Sequence, residues 1–132
     1  VHLSDLFTLY MKVYKFHWNL KGENFLAIHR YYNEIFDYLA TVIDETAERM
    51  RALKIYAPCS CVEYCELSKI EEVVGYTMTL EETIAEVVKD LKTINGNLES
   101  LYKALDDSSV SLFTNHELQI SKQIWFLESS LS

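Results

Sequence analysis

Turn-making residues are scarce in this chain: three glycines (Gly22, Gly75, Gly96) and one proline (Pro58) serve 132 residues. A β-sandwich or barrel needs a turn roughly every 8–12 residues, so an all-β architecture is excluded and an all-helical one expected. No run of about 18 apolar residues occurs, and the first residues lack a basic segment followed by an apolar one. Neither a membrane span nor a signal peptide is therefore expected. Positive charge is also short, with 12 Lys and Arg against 20 Asp and Glu and a formal net charge of −8. That balance argues against an exposed basic surface able to hold a phosphate backbone, so DNA binding would require a basic tail that this sequence does not contain. The only cysteines, Cys59, Cys61 and Cys65, are odd in number and crowded together. They do not read as the disulfide framework of a small secreted scaffold, and reduced structural thiols in a cytoplasm are expected. His-Glu-x-x-His, a Gly-rich phosphate loop and Gly-x-Ser-x-Gly are all missing, which leaves protease, nucleotide-binding and serine-hydrolase readings without a motif.

What is present is helical periodicity. A hydrophobic content of 49% suits one compact core, and a single domain over 1–132 is expected. Leu3, Leu6, Phe7, Tyr10, Val13 and Tyr14 step by three and four and deliver His17 onto the buried stripe of a first helix, which should end between Asn19 and Gly22. Asn24 can cap a second, six-turn helix whose stripe runs from Ile28 through Tyr32, Ile35, Phe36, Leu39 and Ile43 to Met50. Ala57-Pro58-Cys59-Ser60 breaks that pattern, and Ser60 with Glu63 forms a capping box for a short helix near Val62 to Leu67. Thr79 and Glu82 open a third long helix expected to run to Leu105, and a fourth follows Asp106-Asp107 and carries Leu112, Phe113, Ile120, Ile124, Trp125, Leu127 and Leu131. Four long helices with a short one between the second and third predict a four-helix bundle with one long connection.

The second helix has another face, on which His29, Asn33, Asp37, Ala40, Asp44 and Glu48 recur at spacings of three and four. A charged stripe on an amphipathic helix is ordinarily a solvated surface. His17 alters that reading, because the hairpin brings it toward His29, and two imidazoles converging beside carboxylates suit Fe, Zn or Mn. One chain cannot complete such a site, since fifteen residues separate His29 from Asp44, about 22 Å along a helix axis. If two copies of the second helix pack antiparallel about a two-fold axis near Asp37, His17 and His29 of one chain face Asp44 and Glu48 of the other. The Glu-x-x-His pairs of ordinary di-iron bundles do not occur.

His17-Trp18-Asn19-Leu20-Lys21-Gly22, then Asn24-Phe25, His29, Asp44 and Ala47-Glu48-Arg49, resemble the Dps family, the ferritin-like DNA-protection-during-starvation proteins of bacteria. The resemblance spans the whole chain, including the crossover helix and Ile124-Trp125-Phe126. It implies a cytoplasmic homo-oligomer, a dodecameric shell built from dimers, that oxidises Fe2+ with hydrogen peroxide and stores ferric mineral inside. It implies His17 and His29 of one subunit, with Asp44 and Glu48 of its partner, as ferroxidase ligands; the affinity order of divalent ions makes zinc an alternative occupant. Asn33 departs from the family pattern, which often has Asp there, and puts the second iron position in doubt. Trp18 would be an aromatic neighbour of the site, and Asp106 and Asp107 candidates for an iron-entry pore. The plain alternative for that Asp pair is helix capping. His2 and His116 are expected to be surface residues. Two rival readings remain: a non-enzymatic cage that oxidises iron weakly, and a nucleoid-binding protein.

Overall fold

The computed structural model describes residues 1–131 and contains five α-helices, with no strand among them. They are α1 (His2–Asn19), α2 (Phe25–Ala52), α3 (Cys61–Leu67), α4 (Leu80–Leu101) and α5 (Asp107–Leu131), with a 3₁₀ turn at Tyr102–Ala104. The chain is an all-α four-helix bundle crossed by the short α3, as the periodicity predicts. Helices α1 and α2 form one hairpin, α4 and α5 the other, and α1 also packs on α3 and α4.

Local chemistry accounts for the boundaries. Ser60 Oγ accepts from Glu63 N at 3.2 Å and donates to Glu63 Oε1 at 2.8 Å, while Thr79 Oγ1 accepts from Glu82 N at 3.1 Å. The bonds from Glu63 N and Glu82 N each satisfy a helix-start N–H that has no partner within its helix. Asn24 occupies the cap position of α2, but its side chain makes no capping bond. Helix α2 ends where Lys54 adopts a left-handed φ of 70°, letting Ile55 N return to Met50 O at 2.9 Å. Helix α4 stops at Leu101 rather than reaching Leu105, because the chain tightens into the 3₁₀ turn before α5 begins at Asp107.

The apolar stripes meet in one contiguous core that includes Leu6, Leu9, Val13, Tyr32, Leu39 and Leu91. Trp125 and Leu131 lie outside it, exposed on the outer side of α5. Two buried polar clusters fix how the elements sit. Asp5 accepts from Ser68 Oγ (3.0 Å), Lys69 N (2.6 Å) and Asn97 Nδ2 (3.3 Å), strapping the crossover onto α1 and α4. Lys12 reaches across from α1 to Asp90 and Glu86 on α4 and to the carbonyl of Glu71.

The expectation that His2 and His116 lie at the surface is overturned. His116 is 2% exposed and bonds through Nε2 to Glu45 Oε2 at 2.8 Å, and the His2 ring packs edge-on against Phe113. The helical step from Phe113 and Ile120 places position 116 on the inward stripe, a pattern that apolar residue types alone do not reveal. Burial, then the nearby His116, lowers the His2 pKa from 6.5 to about 4. The ring is therefore neutral when folded. Its contribution to stability is complete above pH 6.5 and is lost as the pH falls toward 4, about 3 kcal/mol over that window. Urea unfolding at pH 7 and pH 4.5 should show this slope in the wild type and a flatter one in His2→Phe.

Candidate metal centre

The α1–α2 hairpin closes through Leu20 to Asn24, with Gly22 at φ 119°, a left-handed geometry that favours glycine. The closure brings His17, near the end of α1, onto His29, just inside α2. Their rings stack with centroids 3.7 Å apart and planes 10° from parallel. His17 Nδ1 donates to the carbonyl of His29 at 2.6 Å, and His29 Nδ1 donates to the carbonyl of His17 at 2.7 Å. A carbonyl oxygen only accepts, so each Nδ1 carries a proton, and in the neutral form of each ring the lone pair lies on Nε2. The reciprocal bonds thus select the tautomer that a metal ligand requires, the role that outer hydrogen bonds play at histidine metal sites.

Aromatic packing fixes the rings from both sides. Phe25 stacks on His29 at 5.0 Å, and Phe36 meets His17 edge-on at 5.0 Å and stacks on Tyr14 at 3.9 Å. His17 is buried and His29 half-buried. Trp18 leans on Tyr14 at 5.1 Å and is 68% exposed, a large apolar surface with little packed over it.

Asn33, Asp37, Asp44 and Glu48 are all exposed along α2, on the face that begins at His29. Asn33 Nδ2 donates to Asp37 Oδ2 at 3.0 Å, so that amide is engaged within the chain. Asp44 and Glu48 lie one turn apart, and the neighbouring Asp44 raises the Glu48 pKa through a shared hydrogen bond and through like-charge repulsion. Two carboxylates that compete for one proton form a ready receptor for a cation. Among the described residues of the single chain, no three His, Cys, Asp or Glu side chains come together as a metal site. The structure therefore joins His17 to His29 and Asp44 to Glu48 but leaves the two pairs apart.

A ferritin-like domain model matches residues 1–132. The chain belongs to the ferritin-like family, in its Dps branch. It is 28% identical to a DNA protection during starvation protein of Helicobacter pylori strain J99, over 98% of this chain and 92% of that one. With DNA protection during starvation protein 2 of Bacillus anthracis the identity is 29%, over 98% and 91%. The crystal structure of Dps from Staphylococcus aureus superposes with a TM-score of 0.93 at 27% identity, covering 99% of this chain and 90% of that one. Antigen TpF1 of Treponema pallidum gives 0.94 at 27% identity, over 99% and 86%.

Within this Dps fold the Asp pair before α5 divides. Asp106 binds Arg49 Nη2 at 2.7 Å and accepts from Ser109 Oγ at 2.5 Å, and its carbonyl receives Val110 N. Ser109, and then Arg49, hold its carboxyl below the ordinary range. Asp106 is thus a cap and an ion-pair partner, whereas Asp107 is exposed in the first turn of α5. No helix among the described residues is long and apolar enough to cross a membrane. Sequence reasoning missed the Arg49–Ser109–Asp106 link, since those positions meet only through the packing of α2 beside α5.

Proposed function

We propose that this chain, folded as one domain, is an iron-sequestering ferroxidase of the Dps type, which oxidises Fe2+ and stores it as ferric mineral inside a dodecameric shell built from two-fold dimers. The observation that carries this reading is the cross-bonded His17–His29 pair with both Nε2 lone pairs free. An exposed carboxylate pair on the same helix, Asp44 and Glu48, would be supplied by a two-fold neighbour. Exposed Trp18, Leu118 and Trp125 support the assembly, since large apolar side chains left uncovered on one subunit are commonly buried by another.

Hydrogen peroxide is the oxidant in this reading. Two ferrous ions each give up one electron, the O–O bond accepts both, and the oxygens leave as water or hydroxide. Imidazole nitrogens and carboxylates leave coordination positions open to the oxidant. Supplying both electrons within one site avoids the hydroxyl radical that a single ferrous ion produces, and so protects DNA without binding it. The protein would work in a bacterial cytoplasm.

Anaerobic loading of the purified protein with Fe2+, followed by peroxide, tests the proposal through ferric absorbance. Oxidation well above the rate in buffer is expected, and a rate equal to buffer would remove the ferroxidase reading. A second reading, a cage that oxidises iron weakly, draws on Asn33, which offers a neutral amide already bonded to Asp37. Asn33→Asp is then expected to raise the Fe2+ bound per site in an anaerobic titration. An unchanged stoichiometry would show that position 33 does not limit the second iron.

A further inference from the structure

Cys61 and Cys65, which the iron chemistry leaves unused, sit one turn apart on α3 with both thiols free and exposed. They line an open cleft of about 330 Å³ between α3, α1 and the segment after α3, and Met11 of α1, 42% exposed, lines the same cleft. The cleft's hydroxyls are already engaged: Thr8 Oγ1 donates to Ser4 O at 3.0 Å, Ser68 Oγ to Asp5 Oδ1 at 3.0 Å, and Tyr64 Oη to Pro58 O at 2.8 Å. Sulfur is what remains to receive a ligand, apart from the exposed carboxylate of Glu72 at the edge.

The spacing also limits what two thiols can do. Side chains at i and i+4 of a helix hold their Cβ atoms about 5–6 Å apart. A disulfide requires about 3.5–4.5 Å, so this pair cannot close one without unwinding α3. A metal bridging two sulfurs spans the wider gap. Two thiolates and a thioether form a soft donor set that selects monovalent copper over the oxygen-seeking or four-coordinate ions.

We propose that Cys61, Cys65 and Met11 form a Cu(I) site on each subunit, separate from the histidine pair. Binding is coordination without electron transfer: both thiols release their protons to solvent, both sulfurs bind the ion, and Met11 supplies a neutral third donor. Uptake therefore weakens as the pH falls.

Cu(I) itself is the probe, titrated under anaerobic, reducing conditions into the assembled full-length protein against a chromogenic Cu(I) chelator. The wild type is expected to withhold one equivalent per chain, with ultraviolet sulfur-to-copper charge-transfer absorption. Cys61→Ser and Cys65→Ser should each lose that equivalent, Met11→Leu should hold it about tenfold more weakly, and Cys59→Ser should match the wild type. Retention of the full equivalent by either cysteine variant would overturn the site, as would its loss in Cys59→Ser alone or a wild type that yields all its copper to the chelator. Circular dichroism and assembly size of each variant separate loss of ligand from loss of fold. The iron-oxidation assay on the same variants is expected to be unchanged, so the copper site and the ferroxidase reading stand or fall independently.

Discussion

His29→Ala and Asp44→Ala are each expected to bring peroxide-driven Fe2+ oxidation down to near the buffer rate, a loss on the order of 100-fold. Co-assembly of the two inactive variants is then expected to restore about a quarter of the sites. Two-fold symmetry sets that fraction. In a mixed dimer one site combines the mutated histidine of one chain with the mutated aspartate of the other, while the second site combines two intact halves. Random pairing makes half of the dimers mixed, and half of their sites are whole. A site contained within one chain would show no recovery at all. Stopped-flow absorbance on co-assembled and separately assembled variants therefore tests the shared architecture, beyond the need for each residue. Recovery of nothing, with both parents folded and assembled, would sink the intersubunit arrangement.

Asp90→Ala should cost about 3 kcal/mol of stability and lower Tm by about 10 °C. Lys12 is buried with all three ammonium donors committed, to Asp90 Oδ2 at 2.5 Å, Glu71 O at 2.7 Å and Glu86 Oε1 at 2.9 Å. Burial acts to raise Asp90, and Lys12 opposes that rise. Removing Asp90 strips the cation of its most buried partner and leaves Glu86, which is 19% exposed, as the remaining anion. A buried charge without its partner is costly, whereas replacing both members with apolar groups of similar volume is often neutral or stabilising. Lys12→Met combined with Asp90→Leu is accordingly expected to recover most of the loss. Thermal unfolding of the single and double variants decides the matter. A single variant within about 0.5 kcal/mol of the wild type would mean that Glu86 and Glu71 suffice.

Much of the fold was legible in the residues. Stripes at three-and-four spacing gave the four long helices, and Ser60 and Thr79 marked two starts through bonds that form within one turn. The end of α4 was read four residues late, because Leu105 keeps the apolar period while the backbone has already tightened into a 3₁₀ turn. His116 was misplaced for a related reason: a histidine gives no sign of burial unless the helix facing it is known, here α2 with Glu45. Arithmetic along one helix was enough to separate His29 from Asp44 and to require a second chain for the proposed site.

The sequence by itself determined helix positions, the faces they present and the impossibility of one chain joining both ligand pairs, since all three depend on the fixed rise and turn of a helix. Only the tertiary structure decided that His17 and His29 stack and exchange Nδ1 bonds with each other's carbonyls, that Lys12 is sealed against Asp90, and that Met11 lines the same cleft as Cys61 and Cys65. Those features join residues from different helices. Their geometry depends on how the helices pack, and packing is set by the fit of whole side-chain surfaces, which no local spacing encodes.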